Sequence, residues 1–117
     1  MNELISDIVL ARAIGQAARE VPGVADLYAG NLGQIATYGP GGRVPGVRVR
    51  REAGQALVEI YLTISYVPAL NLLALAETVR SHLYAELTRL AVDSVDTIDV
   101  VVADLVAEIV APRSVTQ

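Results

Sequence analysis

Between Val58 and Ser65, within a run from Ala56 to Tyr66, apolar and more polar side chains alternate. Val58, Ile60, Leu62 and Ile64 fall on one side, and Glu59, Tyr61, Thr63 and Ser65 on the other. A period of two in β-branched and aromatic residues predicts a β-strand with one buried face. Upstream, Val47 and Val49 alternate with Arg48 and Arg50, and Ala53-Gly54-Gln55 supplies a turn. The two runs together predict an antiparallel hairpin, and Pro68 stops the second run from pairing further.

The period changes on either side of this hairpin. In residues 4–20, Leu10, Ile14, Ala17 and Val21 recur at helical spacing with Ala13 and Ala18 beside them, which predicts a first helix ended by Pro22-Gly23. Gly15 inside it implies a close contact of the helix, since glycine there costs about 1 kcal/mol against alanine. Leu72, Ala76, Val79, Leu83, Leu87 and Leu90 form the stripe of a second helix over 72–90, with Asn71 as its N-cap. Residues 24–28 and 34–38 read as short strands. Residues 95–103 read as a last strand with Ile98, Val100 and Val102 inward and Asp99 outward. Residues 39–46, rich in Gly and Pro, read as a mobile loop.

These elements predict an α+β fold of two helices packed on one face of a small mixed β-sheet. Their order is α-β-β-β-α-β, with one or two extra short strands. Residues 1–110 make a single domain and 111–117 a frayed C-terminal tail. The free face of such a sheet carries Arg48, Arg50, Glu59, Tyr61 and Thr63, and a one-sided sheet of this kind often buries that face against a partner.

Composition sharpens this picture. The hydrophobic fraction is 53% and Phe and Trp are absent, so the core is aliphatic. The mean hydropathy of +0.45 is high for a free-standing monomer. Self-association would cover the excess. From Ile60 to Ala76 no charge occurs for 17 residues. That is shorter than the roughly 20 apolar residues of a spanning helix, and Pro68 and Asn71 interrupt it. A strand running into a helix accounts for it, and no membrane span is expected. The chain opens Met-Asn-Glu-Leu, without the positive start of a secretory signal.

Candidate chemistry is sparse. The formal charge is −4 and there is no Cys and no Lys, which removes disulfides, thiolate metal sites and a P-loop lysine. His82 is the single histidine and reads as a surface or semi-buried side chain rather than a general base or metal ligand. Asp93, Asp96, Asp99 and Asp104 read as solvated positions, lacking the glycine-centred spacing of a calcium loop. Arg43, Arg48, Arg50 and Arg51 cluster at the hairpin. They read either as a small-ligand or nucleic-acid site or as a wet strand face with Glu59 across from Arg48 and Arg50. Negative charge and few aromatics disfavour nucleic acid. No catalytic pair or nucleophile elbow is present, and no cofactor is expected.

Residues 9–27, centred on Ala17-Ala18-Arg19-Glu20-Val21-Pro22-Gly23-Val24, resemble the opening of the alkaline shock protein family, the envelope stress response proteins of Gram-positive bacteria. Gly46-Val47-Arg48-Val49 with 56–66 resembles the family's second block. Ala76-Glu77-Thr78-Val79-Arg80 and 95–102 resemble its last helix and strand. Val67-Pro68 after Tyr66 and Ala91-Val92-Asp93 depart from the family pattern. The chain therefore resembles a divergent member, and its Ala and Arg bias points to an actinobacterial one. The resemblance implies a non-enzymatic cytoplasmic protein that self-associates. It also implies docking to a membrane-anchored relative at the inner face of the membrane, in support of the cell envelope.

Overall fold

The computed structural model describes residues 5–107. Its elements are α1 (Asp7–Arg19), β1 (Val24–Leu27), β2 (Ala36–Gly39), β3 (Gly42–Pro45), β4 (Val47–Glu52), β5 (Gln55–Tyr66), α2 (Leu72–Arg89) and β6 (Val95–Ala107). The tail expected at 111–117 lies outside the described residues.

The whole fold is built on β5. One of its edges pairs with β6, parallel, from Ala56 opposite Val95 to Tyr66 opposite Ala107. Its other edge is shared end to end by two antiparallel strands. β4 takes residues 55–60 and β1 takes 62–64. Tyr61 bridges the join, donating its N–H to the Gly46 carbonyl (2.9 Å) while its own carbonyl accepts from the Tyr28 N–H (2.8 Å). The sheet is therefore mixed, as the sequence pattern predicts. β2 and β3 form a separate two-stranded hairpin.

The alternation of β5 decides where the core lies. Ala56, Val58, Ile60, Leu62 and Ile64 are 0–1% exposed and face the helices. Burying each of the larger four contributes roughly 1.5–3 kcal/mol. From α1 come Ile8, Leu10, Ala11, Ile14, Ala17 and Ala18, and from α2 come Val79, Leu83 and Leu87. Both helices are capped as their first residues dictate. The Ser6 Oγ accepts from the Val9 N–H (3.4 Å) and the Asn71 side chain accepts from the Ala74 N–H (3.0 Å). Each cap stabilises its helix by about 1 kcal/mol. The Asn71 cap follows the sequence expectation, whereas α1 starts at Asp7 because Ser6 is the better cap.

Several expectations need correction. Residues 39–46 are not a loop: Gly42–Pro45 is strand β3, paired Thr37 to Val44 and Tyr38 to Arg43 around a turn at Pro40-Gly41. The close contact at Gly15 is with strand side chains, Leu27, Val44 and Val47. The α2 stripe is covered only in its middle, for Leu72 and Leu90 are exposed at its two ends. β6 runs to Ala107 rather than Ala103, because a register shift after Val102 lets it continue alongside β5.

Candidate interaction surface

The face of the sheet turned away from the helices presents the odd-numbered residues of β5 with the outward positions of β4 and β6. Register arranges them in rows. Arg48, Glu59 and Asp99 lie side by side across β4, β5 and β6, and Arg50, Leu57 and Thr97 form the adjacent row. On the other side of the charged row stand Tyr61 and Val101, then Thr63 opposite Asp104. Arg48, Arg50 and Asp99 are exposed, while Leu57, Glu59, Tyr61, Thr63 and Val101 are half-buried. The structure thus places Arg48, Arg50, Glu59, Tyr61 and Thr63 together on the outer face.

The contacts among them differ from expectation. Arg48 does not pair with Glu59; its guanidinium stands 5.6 Å from the centre of the Tyr61 ring, its diagonal neighbour. Arg50 faces Leu57. Among the described residues, Arg48, Arg50, Glu59 and Asp99 have no ion-pair partner. The face therefore carries cations along β4 and anions along β6, with Leu57, Glu59, Tyr61 and Thr63 of β5 between.

The expected cluster Arg43, Arg48, Arg50 and Arg51 is dispersed. Arg43, on β3, donates to the Gly33 carbonyl at 2.8 Å. Arg51 turns to the helix side, where it bonds the Asp7 carboxylate (2.8 Å) and the Ile5 carbonyl (2.7 Å) and joins β4 to the start of α1. The alternation of β4 already implies this, since Arg51 shares the parity of Val47 and Val49. Only two of the four arginines remain available to a ligand.

An open depression of about 490 Å³ runs from Tyr38 and Asp7 across the edge of β4 to Arg50, Glu59 and Asp99. It mixes both signs of charge and offers no converging set of polar groups. His82 lies away from it, its Nε2 3.1 Å from the Glu20 Oε1, joining α2 to the end of α1. Among the described residues no group of three or more His, Cys, Asp or Glu side chains could hold a metal ion. No helix of the described residues is long and apolar enough to cross a membrane.

Two features were missed by sequence reasoning. The Arg80 Nε donates to the Ile98 carbonyl and the Ile98 N–H donates to the Tyr84 hydroxyl, each at 3.2 Å. Side chains of α2 thereby cover the unpaired edge of β6 at this point, and only three-dimensional proximity reveals it. The second feature is a surplus of apolar surface beyond the end of the core. Tyr66, Leu72, Leu73, Leu105 and Val106 are 37–76% exposed there.

These features define a small α+β protein whose conspicuous surface is an uncovered sheet face rather than an enclosed pocket. The chain belongs to the alkaline shock protein 23 family, of cell envelope-related function, whose model matches residues 2–107. A comparison with curated protein sequences gives no match. Among solved structures, the copper form of MamM CTD is similar at 14% identity and a TM-score of 0.51, over 91% of this chain and 90% of that one. A nickel form of a MamM CTD variant is similar at 14% identity and a TM-score of 0.47, over 86% of this chain and 96% of that one. At 14% identity the likeness to the copper form shows a shared fold alone.

Proposed function

We propose that the protein is a non-catalytic interaction module in the cytoplasm. It associates with itself and docks to a membrane-anchored relative at the inner face of the membrane, supporting cell-envelope homeostasis. The docking surface is the outer sheet face at Arg48, Arg50, Glu59, Tyr61 and Thr63. The observation that carries this reading is the state of that face: among the described residues, Arg48, Arg50, Glu59 and Asp99 have no ion-pair partner and no element covers the half-buried Leu57, Tyr61 and Val101. A sheet with one face packed and the other amphipathic has the composition of an interface, aromatic and arginine at the centre with a polar rim. Membership of an envelope-related family supports the cellular setting.

Light scattering after size exclusion tests the first half. The expected result is a species larger than a monomer at about 100 μM, since weak specific associations have dissociation constants in the micromolar range. A strict monomer at that concentration overturns self-association. Fractionation of cells expressing the tagged protein tests the second half. It should sediment with membranes, and Tyr61→Ala with Arg48→Ala should release it.

A further inference from the structure

We propose that the occupant of the outer sheet face is a second copy of this chain, turned about a two-fold axis parallel to β5, so that Arg48 of each copy meets Asp99 of the other. This rests on the reading of the protein as self-associating and adds which surface is used and in what orientation.

The argument starts from the register. Arg48, Glu59 and Asp99 occupy one row across three neighbouring strands. Adjacent strands lie about 4.8 Å apart, so the cationic column on β4 and the anionic side chain on β6 stand about 10 Å apart on either side of β5. An axis along β5 in the plane of contact exchanges left and right while keeping each row opposite itself. It sets the β4 side of one copy over the β6 side of the other. Arg48 then faces Asp99 twice, and Arg50 lies one row away. An axis across the strands would instead stack arginine on arginine and aspartate on aspartate, so charge selects between the two-fold arrangements. Glu59, on the axis strand, faces its own counterpart in either arrangement, and with Asp104 on the same face each copy contributes two arginines and three carboxylates, so Arg48 and Asp99 decide the orientation. Leu57 and Tyr61 lie along the midline with Val101 one strand away, where two sheets packed face to face bury their side chains.

The competing route to a dimer, strand addition along the unpaired edge of β6, is obstructed at Ile98. The Ile98 N–H and carbonyl, which such a strand would need, are engaged by Tyr84 and Arg80 of α2.

Charge exchange tests the arrangement. Arg48→Glu with Arg50→Glu, and separately Asp99→Arg, should each weaken self-association at least about tenfold by setting like charges opposite each other. Mixed together, the two variants should pair to within a few-fold of the unaltered protein, because each then meets its complement. The altered side chains are exposed, and a far-UV spectrum checks that folding is retained. The chain has no cysteine. Arg48→Cys mixed with Asp99→Cys should therefore be joined by a short bis-maleimide, which spans the roughly 10 Å between facing sheets, as the heterodimer in preference to either homodimer.

If the unaltered protein is a strict monomer, the self-association reading itself fails. Self-association that ignores both charge reversals leaves that reading standing and overturns this surface. Loss in the single variants without recovery on mixing overturns the paired orientation. Binding of a monomer to anionic phospholipid vesicles through Arg48 and Arg50 assigns the face to a lipid surface and overturns the second copy as its occupant.

Discussion

Gly46 shows how much one residue can hold. It stands between β3 and β4 with φ at +85°, its N–H donating to the Ile35 carbonyl and its carbonyl accepting from Tyr61. A Cβ there would lie 2.5 Å from the Leu27 Cβ. Left-handed backbone costs roughly 1–2 kcal/mol for a residue with a side chain, and overpacking adds roughly 1–3. Gly46→Ala should therefore destabilise by about 2–5 kcal/mol in urea unfolding. Gly46→Asn discriminates the two causes: asparagine tolerates the backbone, so an equal loss assigns the cost to Leu27. The turn between β4 and β5 presents the opposite case. Ala53 (φ 52°) and Gly54 (φ 83°) are both left-handed, the geometry of a two-residue hairpin turn that favours Asn-Gly. Ala53→Asn should raise stability by about 0.5–1 kcal/mol, shifting the urea midpoint upward without changing the slope. A midpoint that falls would show that the alanine is not strained.

At the scale of elements, the local period of the sequence carries most of the fold. β5, α1 and α2 could be read from spacing alone, since burial follows spacing: Leu10, Ile14, Val79 and Leu83 are all 0–1% exposed. β3 could not, because Gly42 and Pro45 are poor strand formers and only pairing with β2 makes the strand. Nor could the extension of β6 past Ala103, which depends on a register shift set by its partner. On the candidate face, alternation gave the positions of Arg48, Arg50 and Glu59. Which side chain each would touch was hidden, because the diagonal reach of Arg48 to Tyr61 competes with the direct row. The protection of β6 by α2 is likewise a tertiary fact with a measurable consequence. Arg80→Met with Tyr84→Phe removes both bonds to Ile98 at a cost of about 1–3 kcal/mol, two hydrogen bonds at roughly 0.5–1.5 each. It also frees a β-edge, so the double variant should aggregate faster at equal fraction folded, followed by thioflavin fluorescence. An unchanged aggregation rate would mean that the edge is closed by something other than these two side chains.

At the scale of the molecule, the aliphatic excess and the charged face prove to be separate surfaces. The expectation from composition was that surplus apolar area would drive association. Among the described residues, five of the ten exposed large apolar side chains, Tyr66, Leu72, Leu73, Leu105 and Val106, gather instead beyond the covered part of β5 and β6. The outer face beside Arg48 and Asp99 is amphipathic and carries both signs of charge. The two surfaces respond to salt in opposite directions. Screening shortens the reach of charges from about 10 Å at 0.1 M salt to about 3 Å at 1 M, while sulfate strengthens apolar contact. Association through the charged face should therefore weaken as sodium chloride rises from about 0.05 to 1 M, as seen by sedimentation equilibrium. Any further association promoted by ammonium sulfate should disappear in Leu73→Ser with Leu105→Ser, exposed changes that alter stability by no more than about 0.5 kcal/mol. Self-association that strengthens in sodium chloride and vanishes in that serine variant would transfer the contact to the apolar end, leaving the charged face to another partner.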